Sequence, residues 1–334
     1  MPEYPSQHVV VTGASGGAGR AAAIAFAKRG CRLTLLARGR AGLEGAKADV
    51  ENAGGKALIV LTDVADANAV EAAAEQAERE FGPIDVWVNN AMATIFSPFS
   101  EVTPEEFRRV TEVTYLGQVY GTMSALKRMR AADHGTIVNV GSALAYHGLP
   151  LQAAYCGAKF AIRGLTESIR SELIREGSHV RLSFVVLPAL DTPQFDWARN
   201  KLADAPRPVP PVHDPEVAAA AILQAADSAP RELVVATSSL EVMAGSAAAP
   251  GYLDRMLAGR GWSGQFSGEP ATDRPDNLFE PADEETDFGS RGRFGAEARP
   301  KAHMLTAGTA RKLIGAGTAA LAFAGLALAR RRGQ

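Results

Sequence analysis

Residues 8–40 read "HVVVTGASGGAGRAAAIAFAKRGCRLTLLARGR", and the fold follows from them. A short β-rich apolar run, "HVVVT", ends in a glycine-rich turn. An alanine-rich helical stretch follows, and a second apolar run, "RLTLLA" at 32–37, begins soon after Gly30. This is a strand–helix–strand unit with glycines at the first turn. Gly13, Gly17 and Gly19 stand in that turn and the first helical turn, with Ser15 between them. Missing side chains there let the backbone approach a pyrophosphate, and the helix start offers unpaired N–H groups to an anion. A glycine triplet alone is equally a plain turn. Its place, directly after the first strand and opening a helix, points to phosphate binding.

The same alternation continues outward from this unit. Further apolar runs lie at 57–61, 84–88, 136–140, 180–186 and 232–236, making seven strands in all. Helical patterns occupy about 17–29, 39–53, 66–81, 104–129, 152–176 and 215–227, the fourth opening at Thr103-Pro104 with Glu105 and Glu106 behind. Continuous apolar runs fit strands buried on both faces of a parallel sheet. The expected fold is α/β: a doubly wound, mostly parallel seven-stranded Rossmann-like sheet with helices on both faces. It spans residues 1–245, with a proline-rich loop at 202–215 over the carboxyl edge of the sheet. Residues 246–304 are rich in glycine, proline and charge, and read as a largely disordered linker with "NLFEP" as a possible docking clip. Residues 305–334 carry an uncharged stretch, 313–329, between basic flanks. At 1.5 Å per residue it spans about 25 Å, slightly under a bilayer core. It reads as a single C-terminal transmembrane helix tethered by that linker, with docking on a partner subunit's apolar surface as the alternative.

The chain has 334 residues, 46% hydrophobic and 22% charged, with a net charge of -2. No domain-wide basic excess supports nucleic-acid binding. The two cysteines, Cys31 and Cys156, give neither a disulfide framework nor metal-ligand spacing, so no metal is expected. The N-terminus shows no secretory signal, so a cytoplasmic domain is expected.

At the end of the second strand, where an NAD enzyme usually carries an acid for the ribose 2′-hydroxyl, stands Arg38. It suits a 2′-phosphate and favours NADP, unless it is only a solvated strand end. Further on, Ser142 precedes Tyr155 and Lys159, the last two one helical turn apart. An ammonium beside a phenol lowers the phenol's pKa, and a serine hydroxyl can hold a substrate oxygen beside it. Taken alone, Tyr155 and Lys159 are equally a solvated helix face.

Motif order resolves this. "TGASGGAG", Asp63-Val64, "NNA" at 89–91, Ser142, "YCGAK" at 155–159 and "LPALDT" at 187–192 each follow a strand in turn. The chain over about 8–240 thereby resembles the short-chain dehydrogenases/reductases. The resemblance implies Ser142, Tyr155 and Lys159 as the catalytic set. It also implies NADP contacts from Gly13, Ser15, Gly17, Gly19, Arg38, Asp63 (to adenine, unless it caps the next helix), Asn90, Tyr155, Lys159 and Thr192. Asn89 is expected to tie its loop to the neighbouring strand. A dimer or tetramer through the helices at 104–129 and 152–176 is a further implication.

Three positions depart from the family pattern: Met92 where glycine is usual, Thr114 where asparagine supports a proton relay, and Ala189 for glycine. Thr114 keeps a hydroxyl, so an altered relay is expected. Phe96, His147 and Phe195 are candidates for the substrate pocket, pointing to a hydrophobic carbonyl or alcohol, although core packing explains them as well. Cys156 is expected to pack behind its helix. The expected activity is NADP(H)-dependent interconversion of a carbonyl and a secondary alcohol. The alternative is a non-catalytic NADP-binding sensor or scaffold; an epimerase or dehydratase fits less well.

Overall fold

The computed structural model describes residues 7–313. Its first half runs β1 (His8–Thr12), α1 (Gly17–Ala27), β2 (Arg32–Ala37), α2 (Arg40–Asn52), β3 (Lys56–Leu61), α3 (Ala67–Phe81) and β4 (Val86–Asn89). Its second half runs α4 (Pro104–Thr111), α5 (Gly117–Ala132), β5 (Thr136–Val140), α6 (Ala153–Glu176), β6 (Arg181–Val186), α7 (Pro215–Ser228) and β7 (Glu232–Val235). After these come α8 (Thr237–Ala248), α9 (Pro250–Met256) and β8 (Met304–Thr306).

The main sheet has eight strands in the order β8-β7-β6-β5-β4-β1-β2-β3. All neighbours pair in parallel except β8, which runs antiparallel to β7 with Val234 opposite Leu305. Val9, Val10 and Val11 are fully buried, because both faces of β1 are covered. One face packs Val9, Val11, Leu33 and Val138 against Phe26 of α1, Leu43 of α2 and Ile222 of α7. The other packs Val10, Trp87 and Ile137 against Val70 of α3 and Met129 of α5. Chain order reverses between β1 and β4, opening a crevice at their carboxyl ends.

Helix starts follow their local chemistry. Thr103 and Glu106 form a reciprocal capping box with Pro104 in the first turn of α4. Asp66 accepts from Asn68 N and Ala69 N and so caps α3. The long helix expected at 104–129 is divided by a π-helical turn at Glu112–Leu116.

Two expectations need correction. The sheet has eight strands where seven were expected, since three residues at 304–306 add an antiparallel edge strand that is too short to stand out as a run. Residues 246–304 are not a disordered linker. They hold the end of α8, then α9 and the strand Phe266–Pro270, which pairs with Asp204–Pro206, and then an extended strap across the carboxyl edge of the sheet. The strap is short of apolar residues because its charges are satisfied by the domain. Arg207 pairs with Glu297, Arg291 with Asp214, Arg293 with Asp196 and Arg20 with Asp287. Of its few apolar side chains, Leu278 and Phe294 are buried, while Phe279 is exposed. The uncharged stretch 313–329 lies, apart from Leu313, outside the described residues. Among those described, no helix is long and apolar enough to cross a membrane.

Candidate active site

A cleft of about 370 Å³ runs along the carboxyl ends of the central strands, from Ser15, Arg38 and Asp63 at one end to Ser142 and Tyr155 at the other. The glycine turn forms its floor. Gly13 and Gly17 adopt φ of 65° and 55°, a region that side chains strain. A Cβ on Gly19 would collide with the Gly13 carbonyl, so backbone lies against backbone here. At the start of α1, Gly17 N donates to the Gly289 carbonyl at 3.3 Å, and the close backbone packing of the turn around it suits a pyrophosphate.

The structure brings Ser142, Tyr155 and Lys159 together on the cleft wall. Ser142 follows β5 and opens a short 3₁₀ turn, its hydroxyl accepting from Leu144 N at 3.1 Å. Burial pushes the Tyr155 phenol above its ordinary value, the neighbouring Cys156 adds to this, and a hydrogen bond with Ser142 opposes it. Lys159, only 2% exposed, reaches past the tyrosine with Nζ 5.5 Å from the ring centre. It donates to the Val140 carbonyl at 2.8 Å. Burial holds its pKa down at about 7. Cys156 packs behind the helix, accepting from Leu149 N, and burial pushes its thiol up to about 11.

Thr114 does not face this group. Its hydroxyl donates to the Ala93 carbonyl at 2.8 Å and accepts from Ala93 N at 3.0 Å, so its one proton is already committed. The relay expected through Thr114 therefore has no free donor there. Gln118, one turn further on, takes a place that sequence reasoning missed. Its Nε2 donates at 3.1 Å to the Val140 carbonyl that Lys159 also uses, while its buried Oε1 has no partner. Its i+4 spacing from Thr114 was the available signal.

At the opposite end, Asp63 accepts from Ala65 N and pairs with Arg109 at 2.6 Å. Burial raises its carboxyl, but these two contacts and Arg38 outweigh that and hold it below the usual value. Asn90 donates to the Thr12 and Gly13 carbonyls, fastening the glycine turn, and lines the cleft. Asn89 bonds Thr122 and Asn139, tying β4 to α5 and β5. Arg38 points to the cleft, but its two terminal nitrogens donate to the Phe279 and Asn277 carbonyls of the strap. Asp283, also from the strap, lines the cleft beside it.

Toward the other mouth, Thr192, Phe195, His147 and Met92 line the cleft. Thr192 packs against Gly17. His147 is held by Asp254 at 3.0 Å. Phe96 is placed differently from expectation: it is fully buried in a small core with Phe195 and Phe294, its ring 5.8 Å from that of Phe195. Leu149, Val209, Val242 and Leu257 add an apolar rim from segments beyond the sheet.

The family model described as "short chain dehydrogenase" matches residues 7–202. An uncharacterized oxidoreductase, YxnA, of Bacillus subtilis (strain 168) is 31% identical over 281 residues, covering 84% of this chain and 79% of that one. A 3-dehydrosphinganine reductase of Danio rerio is 37% identical over 193 residues, covering 56% of this chain and 58% of that protein. The chain thus spans less than two thirds of the latter's length. Among solved structures, an alcohol dehydrogenase from the archaeon Thermococcus sibiricus, complexed with 5-hydroxy-NADP, is similar with a TM-score of 0.59 and 27% identity. That likeness covers 69% of this chain and 96% of the other.

Proposed function

This chain belongs to the short chain dehydrogenase family, and from that premise we propose that it interconverts a hydrophobic carbonyl compound and its secondary alcohol, using a nicotinamide dinucleotide. The observation that carries the reading is the convergence of Tyr155, Lys159 and Ser142 on the cleft that begins at the glycine turn. Gly13, Ser15, Gly17 and Gly19 would hold the pyrophosphate, with Asp63, Asn90 and Thr192 along the rest of the dinucleotide. When bound, that group supplies or accepts the hydride.

The protein's own part is the proton. Tyr155, with its pKa raised by burial, is neutral at working pH and suited to give its phenolic proton to a developing alkoxide. Ser142 would donate to the same oxygen and hold it against the phenol. Lys159 keeps a cation near the phenolate that forms, provided the pH stays near or below its pKa of about 7. Near neutral pH the neutral phenol beside this cation is set to give its proton, as carbonyl reduction needs. Gln118, beside the Lys159 ammonium at Val140, is the candidate to connect the lysine to a proton source.

The apolar rim and Phe195 support a hydrophobic substrate, as does the similarity to a 3-dehydrosphinganine reductase. Arg38 alone would favour NADP; the acid facing it, Asp283, counts the other way. Exposed Met123 on α5 and Phe160 and Ile174 on α6 support association through those helices. Sedimentation of Phe160→Glu as a smaller species than wild type checks this. The function itself is tested by reduced-dinucleotide oxidation against a panel of long-chain ketones, cyclic ketones and ketose sugars. Turnover is expected on the apolar members. Dinucleotide binding without turnover on any of them would replace this reading with that of a sensor.

A further inference from the structure

We infer that the choice between the two nicotinamide dinucleotides is made by Asp283, a residue of the C-terminal strap, and that it selects the one lacking a 2′-phosphate. The inference rests on the reading of the cleft as a dinucleotide site. Residues 277–289 cross the outer wall of that cleft at its Arg38 end. Leu278 anchors them, fully buried in the core that includes Val10, Leu36, Val64 and Val113. Asp287 fastens the far side through its ion pair with Arg20, which is itself held by Asp49.

Between these anchors the strap occupies what a 2′-phosphate would use. Such a group needs free N–H donors at the start of the helix after β2, together with a basic side chain. The first donors of α2 are taken. Arg40 N donates to the Glu284 carboxylate at 3.0 Å, Ala41 N to the Glu284 carbonyl at 3.1 Å and Gly42 N to the Asp283 carbonyl at 3.1 Å. The Arg38 guanidinium is likewise turned to the carbonyls of residues 277 and 279.

The Asp283 side chain lies against Gly39 and Gly42, beside Ser15; a Cβ on either glycine would overlap its carboxylate. The residue is 7% exposed, and its carboxylate accepts no hydrogen bond from the described residues, yet it lines the cleft. A buried carboxylate with unused acceptors gains from hydroxyl donors. A ribose diol supplies two. A phosphate dianion supplies none, and sets like charge beside like charge where solvent screens weakly. The acid that an NAD enzyme usually carries at the end of β2 thus arrives from nearly 250 residues later in the chain.

Equilibrium titration of the full chain with NADH and NADPH, followed by dinucleotide fluorescence, tests this without turnover. Wild type is expected to bind NADH on the order of tenfold more tightly than NADPH. Asp283→Asn should tighten NADPH about tenfold and weaken NADH severalfold, whereas Asp283→Glu should keep the wild-type order. Glu284→Gln, which removes charge from the same helix start, should move NADPH the same way by a smaller factor. If Asp283→Asn fails to fold, this second variant carries the test. Tighter NADPH binding by wild type, or an unchanged ratio in folded Asp283→Asn (in Glu284→Gln if Asp283→Asn does not fold), overturns the inference alone. Failure of wild type to bind either dinucleotide overturns the dinucleotide reading and the inference with it.

Discussion

Replacing Lys159 by methionine should make the unliganded protein more stable while abolishing its activity. The ammonium is 2% exposed and burial drops its pKa from 10.5 to about 7. At about 1.4 kcal/mol per tenfold, keeping this group buried costs about 5 kcal/mol once both folded and unfolded forms are protonated. Methionine removes that cost and fills a similar volume with an adaptable side chain. Against it stands one charged hydrogen bond to the Val140 carbonyl, worth about 2 kcal/mol. That carbonyl is not orphaned, because Gln118 Nε2 still donates to it. The net gain is about 2–3 kcal/mol, or roughly 5 °C in melting temperature for a domain of this size. The sign with pH follows from the lowered pKa. Between pH 10.5 and 7 the unfolded chain holds the proton and the folded one does not, so wild-type stability falls as pH falls through that window and levels off below 7. Thermal melts of both proteins at pH 6.5 and pH 10 read the gap. It should be wide at 6.5 and nearly closed at 10. A variant less stable than wild type at pH 6.5, or a gap that does not change with pH, would refute the reasoning.

Three further outcomes are expected. Gln118→Leu removes an amide whose Oε1 is buried without a partner, so stability should hold or rise while kcat falls on the order of tenfold; an unchanged kcat would show the amide to be packing only. Leu278→Ala should cost about 2–4 kcal/mol in urea unfolding and weaken dinucleotide binding, since it takes out the strap's fully buried anchor; a cost below about 1 kcal/mol would mean the strap is not docked there. If 313–329 contacts a membrane, deleting residues 305–334 should move the protein from the membrane pellet to the supernatant, and an unchanged distribution would end that proposal.

Local chemistry was legible in the sequence where neighbours in the chain are neighbours in space. β1 with its glycine turn, the capping box at Thr103 and the Tyr155–Lys159 spacing all act within one or two turns, and each stands where the residues indicated. What escaped is built from distant pairings. Arg20 with Asp287 and Arg38 with the carbonyls of 277 and 279 join residues more than 230 positions apart. A strap whose charges are neutralised by such partners has the composition of a solvated linker. Phe96 illustrates a second limit: a loop aromatic can face a cleft or close a core, and its partner Phe294 lay in the segment expected to be disordered. Thr114 shows a third, since a retained hydroxyl says nothing about whether its bonds are already spent.

The central claim, that Tyr155 gives the proton in a dinucleotide-dependent carbonyl reduction, is tested most directly by Tyr155→Phe. The change leaves the ring and removes one oxygen. Dinucleotide affinity should stay within about twofold while kcat on the best carbonyl substrate falls on the order of 10³-fold, within the range for loss of a general acid. A variant that binds the dinucleotide and keeps the wild-type kcat would contradict the account.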